Sequence, residues 1–100
     1  MSVTADSANV TDLSAFQRDL LWALSHENHR KGLALKRALS DYYGEELNHS
    51  RLYQNLDKLV DRGLVEKSAR DRRTNEYALT EAARRALTAR QAWQAGKTDE

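Results

Sequence analysis

Between residues 48 and 67 the sequence concentrates side chains that can recognise nucleic acid. Arginine can donate two parallel hydrogen bonds to guanine, asparagine and glutamine can pair with adenine, and lysine contacts phosphate. At helical spacing, side chains of these types fall on one side of the stretch: Arg51, Gln54, Asn55, Lys58 and Arg62. The opposite side is apolar: Leu52, Tyr53, Leu56, Leu59 and Val60. This division predicts a helix that packs on a core and presents a polar face to a partner.

Residues at both ends of this stretch indicate where the helix begins and ends. Asn48 is a residue type that commonly caps a helix N-terminus, and Gly63 suits the left-handed conformation that often follows a C-terminus. A second helix is predicted upstream, from the turn at Gly32 to near Gly44. Because the turn of residues 44–47 between the two helices is short, they form a candidate helix-turn-helix.

Downstream of Gly63 the helical periodicity ends. Residues 64–68 and 75–79 predict two short strands, and residues 69–74 form the tip of the hairpin between them. Thr80 is placed to cap a last helix that runs to about Ala95. At the other end of the chain, Ser14 and Gln17 have the spacing of a capping box for a first helix.

The order of these elements is helix, helix, helix, hairpin, helix. It predicts a winged helix-turn-helix, which is a mainly α fold with a small β-hairpin, here with an additional C-terminal helix for dimerisation. We expect the domain to span residues 14–95. A disordered lead-in of residues 1–13 precedes it, and a tail of residues 96–100 follows.

We predict that the third helix and the hairpin contact DNA together. A wing in this architecture lies along the backbone or the minor groove, where arginine is favoured. The candidate residues on the helix are Asn48, His49, Ser50, Arg51, Gln54, Asn55 and Lys58. Those on the wing are Arg70, Arg72 and Arg73. The net charge of +1 is compatible with this partner without requiring it.

Other classes of function lack the residues that they require. The absence of cysteine excludes disulfides and thiolate metal sites. His26 and His29 have no third ligand beside them, and there is no Gly-rich phosphate loop or Ser-His-Asp pattern. No apolar stretch is long enough for a membrane span. We therefore expect a cytoplasmic protein that is not an enzyme and has no metal, cofactor or evident small-molecule ligand.

The two tryptophans indicate a surface for a second subunit. On a helical wheel Trp22 points away from the core stripe of the first helix, and Trp93 lies near the free end of the last helix. A large apolar side chain outside the core often belongs to a contact surface. We expect the first and last helices to form a homodimer interface. Its predicted members are Phe16, Trp22, Ala83, Ala86, Leu87, Arg90 and Trp93.

Two runs of residues resemble the signature of PadR-like transcriptional regulators. They are Leu52-Tyr53-x-x-Leu56-x-x-Leu59-x-x-x-Gly63-Leu64-Val65 and Tyr77-x-Leu79-Thr80-Glu81. The likeness covers roughly residues 14–90, and in closer detail the chain is similar to a haloarchaeal oxidative-stress regulator of this group. The resemblance implies a DNA-binding transcriptional regulator in stress response, acting as a cytoplasmic homodimer on a partly palindromic operator.

The alternative is a winged helix that binds another protein and no DNA. Such a module would present apolar residues on the exposed face of the third helix. Here the predicted face carries Arg51, Gln54 and Lys58, which favours DNA binding.

Overall fold

The fold is described by a computed structural model that covers residues 10–27 and 29–97. Its elements are α1 (Ala15–Ser25), β1 (Arg30–Lys31), α2 (Gly32–Tyr43), α3 (His49–Asp61), β2 (Val65–Ala69), β3 (Asn75–Leu79) and α4 (Glu81–Gln94). The predicted order of helices and hairpin is confirmed, and β1 is an addition to it. Residues 1–9 and 98–100, which include most of the predicted lead-in and part of the tail, lie outside the described residues. No helix in the described ranges is both long and apolar enough to cross a membrane.

The folded part of the chain begins before the predicted boundary at residue 14. Val10 is 3% exposed and Leu13 is 6% exposed, so both belong to the core. The Leu13 N–H donates to the Val10 carbonyl at 3.2 Å, and the Arg18 guanidinium donates to the Leu13 carbonyl at 2.6 Å. The predicted disordered lead-in is therefore wrong for residues 10–13. Two apolar residues among polar ones are enough to attach the segment to α1.

The predicted helix caps are present. The Ser14 hydroxyl accepts from the Gln17 N–H at 3.1 Å, and the Gln17 side chain accepts from the Ser14 N–H at 3.1 Å, which completes the capping box of α1. Asn48 caps α3 and Thr80 caps α4. Gly63 follows α3 with a φ of 77°, in the left-handed region where a side chain would be strained.

α1 is surrounded by other elements along most of its circumference. It packs against α2, α3, α4 and β3, and its buried residues form one broad stripe: Phe16, Leu20, Leu21, Ala23 and Leu24. Trp22 is half-buried against the core and lines a cavity of about 300 Å³ with Ala38 and Leu39 of α2. Trp22 lies opposite the buried stripe of α1, as predicted, but it is not a fully uncovered apolar surface, because α2 lies against that side of the helix. A helical wheel gives the direction of a side chain within its helix and does not show which other elements cover it.

The strands form an antiparallel sheet in the order β1, β3, β2. Tyr77, in the centre of β3, is paired with Arg30 of β1 and with Lys67 of β2, and it is 3% exposed. β1 has only two residues and lies in a polar connector, so it carries no alternating pattern for sequence reasoning to detect. By pairing with β3 it joins the base of the wing to the start of α2.

α4 is held firmly in its first half. Thr80, its cap, also donates through its hydroxyl to the Gly63 carbonyl at 2.8 Å, which ties α4 to the end of α3. Ala83, Ala86 and Leu87 are buried against the core. From Thr88 to the end of the helix no residue is buried, and Trp93 is 63% exposed.

Candidate nucleic-acid interface

α3 is fixed by its apolar side. Leu52, Leu56 and Leu59 are each 0% exposed, and Tyr53 and Val60 are partly buried against the same core. The predicted division of the helix is therefore confirmed on its apolar side. Each fully buried leucine contributes about 1.5–3 kcal/mol through removal of apolar surface from water. The position of the polar side is consequently determined by the core.

The predicted polar face divides into two rows with different surroundings. Ser50, Gln54 and Lys58 are exposed, and among the described residues their side chains make no hydrogen bond or ion pair. The second row, Arg51, Asn55 and Arg62, faces α1 and the segment before it. Side chains in the first row are free to contact a partner, whereas those in the second already have contacts within the chain.

Asn55 uses both ends of its amide inside the protein. Its Oδ1 accepts a 2.9 Å hydrogen bond from Nε2 of Gln17, and its Nδ2 donates to the Arg51 carbonyl at 2.8 Å. The side chain is partly buried between α1 and α3. A bidentate contact with adenine would require the amide to give up both bonds. Asn55 thus links α1 to α3, a role that helical spacing alone did not indicate.

Arg51 and Arg62, the other members of this row, contact the N-terminal part of the chain. The Arg51 guanidinium carbon lies 4.1 Å from the centre of the Phe16 ring, a cation–π arrangement. Arg62 Nη2 lies 3.0 Å from a carboxylate oxygen of Asp12. Arg51 remains exposed, and its guanidinium has no hydrogen-bond partner among the described residues.

Two candidates at the start of α3 also have local roles. The Asn48 side chain accepts from the Arg51 N–H at 2.9 Å as the helix cap, which leaves its NH₂ group for other partners. His49 is exposed, and its ring centre lies 4.6 Å from that of Tyr53. The N–H groups of His49 and Ser50, ahead of the capped Arg51 N–H, lie at the helix N-terminus, and such groups favour an anionic partner such as phosphate.

The wing presents its arginines unequally. Arg70 Nη1 lies 2.7 Å from Glu76 Oε2 on the adjacent strand, so its charge is already paired. Arg72 and Arg73 are exposed at the tip, and their guanidinium groups have no partner among the described residues. Of the three predicted wing residues, these two are free to contact DNA.

Asp71 gives the wing tip its shape. Its Oδ1 accepts from the N–H groups of Arg73 and Thr74, each at 2.9 Å, in a turn of the kind that aspartate favours. The hydrogen bond from the Arg73 N–H is the main reason that the pKa of Asp71 lies below its usual value. The carboxylate therefore organises the loop on which the arginines stand.

Tyr53 connects α3 with the wing and with α2. Its ring centre lies 6.5 Å from that of Tyr77 on β3. A Cβ atom at Gly32 would overlap the Tyr53 hydroxyl oxygen, so the ring occupies the space that a side chain at Gly32 would need. Burial raises the pKa of Tyr77 above its ordinary value. A side chain at position 32 would thus require the Tyr53 ring to move, a close approach that sequence reasoning missed.

The residues predicted for a dimer interface separate into buried and exposed sets. Phe16 is 5% exposed, and Ala83, Ala86 and Leu87 are buried in the core of the same chain. These four positions have little surface to offer a second subunit, because α1 buries Phe16 in the core and α4 uses the other three to pack on its own domain. Arg90 and Trp93 remain on the surface, with the Arg90 guanidinium carbon 5.2 Å from the Trp93 ring centre.

The described residues do not bring metal ligands together. In residues 10–27 and 29–97, no group of three or more His, Asp or Glu side chains has the geometry to hold a metal ion. The candidate side chains on the α3 and wing surfaces are donors and cations suited to DNA bases and phosphates.

A winged helix-turn-helix with a polar, arginine-bearing third helix and wing defines a class of DNA-binding proteins. The profile of the transcriptional regulator PadR-like family matches residues 20–89. This chain therefore belongs to the PadR-like family of transcriptional regulators, and the resemblance in its motifs is confirmed. Comparison with functionally curated proteins gives no significant match.

Solved structures agree with this assignment. The chain is 54% identical to the hsRosR-SG complex, with a TM-score of 0.85 over 89% of this chain and 79% of that one. It is 52% identical to H. salinarum RosR in a structure grown from NaBr, again with a TM-score of 0.85, over 92% of this chain and 84% of that one. The family and these neighbours identify a DNA-binding transcriptional regulator whose partner is double-stranded DNA.

A more distant structure shows how widely the fold is shared. A mutant MarR from E. coli, complexed with operator DNA, is 24% identical. It has a TM-score of 0.66 over 87% of this chain and 60% of that one. At this identity the likeness concerns the fold, and it confirms the winged-helix architecture.

Proposed function

We propose that this regulator binds a specific operator as a homodimer, reading bases with the free row of α3 and contacting the backbone with the wing tip. The observation that carries the proposal is the exposed, unpaired Gln54 in the middle of a helix whose opposite side carries three fully buried leucines. Glutamine recognises adenine through two hydrogen bonds. Arg72 and Arg73 supply cations beyond the helix for phosphates or a narrow minor groove.

Substitution of Gln54 tests the base-reading role. We expect Gln54→Ala to weaken binding to the preferred duplex by about 1–3 kcal/mol and to relax specificity at one base pair. The probe is a duplex selected by the wild-type protein from a random pool, compared with a scrambled duplex by fluorescence anisotropy. Gln91→Ala, on the exposed side of α4, is the matched control. Unchanged affinity of Gln54→Ala for both duplexes would remove this role.

The surface of α4 supports the homodimer. Its first half is buried in the domain, whereas its second half presents Trp93, which is 63% exposed and stacked with Arg90. Burial of a large indole against a second copy would remove this apolar surface from water. Two-fold symmetry would then place two α3 helices about one turn of DNA apart, to match a partly palindromic operator.

Sedimentation at micromolar concentration tests the dimer. Truncation of a well-packed aromatic residue costs about 3–5 kcal/mol, so we expect Trp93→Ala to shift the protein toward monomer and to weaken operator binding. Tyr42→Ala is the control, since Tyr42 is 75% exposed on α2. A monomeric wild-type protein, or a Trp93→Ala variant that stays fully dimeric, would contradict this interface.

The cellular setting follows from the partner and from the resemblance. We infer a cytoplasmic location, because a transcriptional regulator of this family must reach the double-stranded DNA of the cell. The resemblance to a haloarchaeal oxidative-stress regulator supports a role in stress response. Any response to oxidants would proceed without a thiol, since the chain contains no cysteine.

A further inference from the structure

Two neighbouring residues in the first turn of α1 contact Arg51 and Asn55, two candidate DNA-binding residues of α3. Phe16 lies beneath the Arg51 guanidinium, and Gln17 donates to the Asn55 side chain. Asn55 in turn donates to the Arg51 backbone carbonyl. α1 does not need to touch DNA to influence recognition, because these contacts reach Arg51, an exposed residue of α3 whose guanidinium keeps its donors free.

The stacking of Arg51 leaves its hydrogen-bonding groups available. A guanidinium donates its five N–H bonds within its own plane. A contact with the ring of Phe16 uses only the face of that plane, so it restricts the orientation of Arg51 without occupying a donor. The side chain is exposed and unpaired among the described residues. A long side chain that is already restricted loses less conformational entropy when it binds.

The ring of Phe16 is itself held in place. Phe16 is 5% exposed, and its ring centre lies 6.2 Å from that of Tyr43 in α2. The Tyr43 hydroxyl donates to Asp19 Oδ2 at 2.5 Å, which fixes the tyrosine against α1. The ring beneath Arg51 is thus a rigid part of the core.

Gln17 performs a comparable function through hydrogen bonds. Its Oε1 accepts from the Ser14 N–H in the capping box, while its Nε2 donates to Asn55. The amide is therefore committed at both ends. It fixes which end of the Asn55 amide points toward Arg51, so that Nδ2 donates to the Arg51 carbonyl.

We propose that Phe16 and Gln17 are positioning residues for DNA recognition, which hold Arg51 and Asn55 so that the Arg51 guanidinium contacts a guanine edge. The proposal rests on the base-reading role of α3 proposed above. It assigns Phe16 to support of the DNA-binding surface instead of the dimer interface. It also gives Asn55 a supporting role, in which its side chain donates to the Arg51 carbonyl and does not contact DNA.

A double-mutant cycle between Phe16 and Arg51 tests the proposal. The readout is the ratio of affinities for the selected duplex and its scrambled counterpart, measured with the full chain. We expect Arg51→Ala to lower this ratio at least about fivefold, the lower end for a bidentate arginine–guanine contact. Phe16→Leu should lower it about two- to fivefold, as expected for loss of a cation–π contact at an exposed site. In the Arg51→Ala background, Phe16→Leu should leave the ratio unchanged.

A role of Phe16 only in stability gives a different result. An equal loss in both backgrounds, or no loss in either, would overturn the proposal. Because Phe16 lies in the core, Gln17→Glu supplies a second variant at a half-buried surface position. It retains an acceptor for the Ser14 N–H but removes the donor to Asn55. It should lower the ratio in the wild-type background and leave it unchanged in the Arg51→Ala background.

The result is separable from the test of base reading in general. If Gln54→Ala relaxes specificity while Arg51→Ala does not, α3 reads DNA and the positioning proposal alone is overturned. If neither variant changes the ratio, the base-reading role itself is wrong.

Discussion

The two regions that we propose face DNA, α3 and the wing tip, are built in opposite ways. α3 rests on three leucines that are fully buried, and α1 contacts one side of its polar face. The wing tip has no buried residue between Glu66 and Glu76, and its shape depends on hydrogen bonds to Asp71 and across the hairpin. A rigid surface suits recognition that depends on fixed hydrogen-bond geometry. A loop that is held only by hydrogen bonds suits contacts with phosphates, because such contacts tolerate small changes in position.

The difference assigns separate thermodynamic roles to the two regions. Contacts from α3 should appear in the preference for one duplex over another, because a misplaced base edge leaves donors unpaired. Contacts from the wing should appear in the dependence of affinity on salt, since cations on phosphates release counterions whatever the sequence. Tyr53 and Tyr77 lie between the two regions, 6.5 Å apart by ring centres, and give them a shared support.

Within the comparison of α3 and the wing, the largest expected effect comes from disturbing that shared support. In Gly32→Ala, the new Cβ would overlap the Tyr53 hydroxyl and lie 2.6 Å from the adjoining ring carbon. We expect the displaced ring to lower the free energy of unfolding by about 1–3 kcal/mol, as overpacking does. The preference for the selected duplex and the salt dependence of affinity should change together, because the Tyr53 ring belongs to α3 and lies beside Tyr77 of the wing. Urea denaturation measures the first effect, and DNA titrations at several salt concentrations measure the others.

The matched control repeats Gly32→Ala in a protein that carries Tyr53→Leu. Gly32 has no left-handed backbone requirement, since the positive-φ glycines are Gly44, Gly63 and Gly96. Without the tyrosine ring, alanine at this helix position should be neutral or stabilising, by about 0.4–1 kcal/mol. The same loss of stability in both backgrounds would mean that Tyr53 is not the cause.

Local sequence patterns predicted the elements well, because their causes are local. Ser14, Asn48 and Thr80 cap the helices as expected, and β3 has its predicted bounds. The partial burial of Trp22 could not be predicted, because it depends on α2, which covers that side of α1 in the folded chain. The burial of Val10 likewise depends on tertiary packing, which a local sequence pattern does not show.

The sequence predicted which residue types lie at the candidate site, but it did not predict which of them contact one another. The residue types on α3 were apparent from periodicity, whereas the bond from Gln17 to Asn55 joins positions that are 38 residues apart. Helical spacing treats Gln54 and Asn55 as equivalent neighbours. Only the placement of α1 shows that one is free and the other is occupied. The same holds for the wing, where the sequence does not distinguish Arg70 from Arg72. The structure shows that Arg70 is paired with Glu76.

The smallest expected effect separates those two arginines. Arg72 is unpaired among the described residues, so Arg72→Ala should flatten the slope of log affinity against log salt by about 1. Arg70→Ala should flatten it less, because Arg70 is 2.7 Å from Glu76 and must leave that carboxylate before it can neutralise a phosphate. Neither change should alter the preference between selected and scrambled duplexes.

Glu76→Gln completes this comparison by releasing Arg70 without removing its charge. In that background, Arg70→Ala should flatten the salt slope by nearly as much as Arg72→Ala does. Equal effects of the two arginines already in the wild-type background would show that the ion pair with Glu76 does not persist on DNA. A change in duplex preference at constant slope would instead assign base reading to the wing. Because an exposed ion pair contributes little to stability, urea denaturation should give nearly the same result for all of these variants, and the DNA titrations alone should separate them.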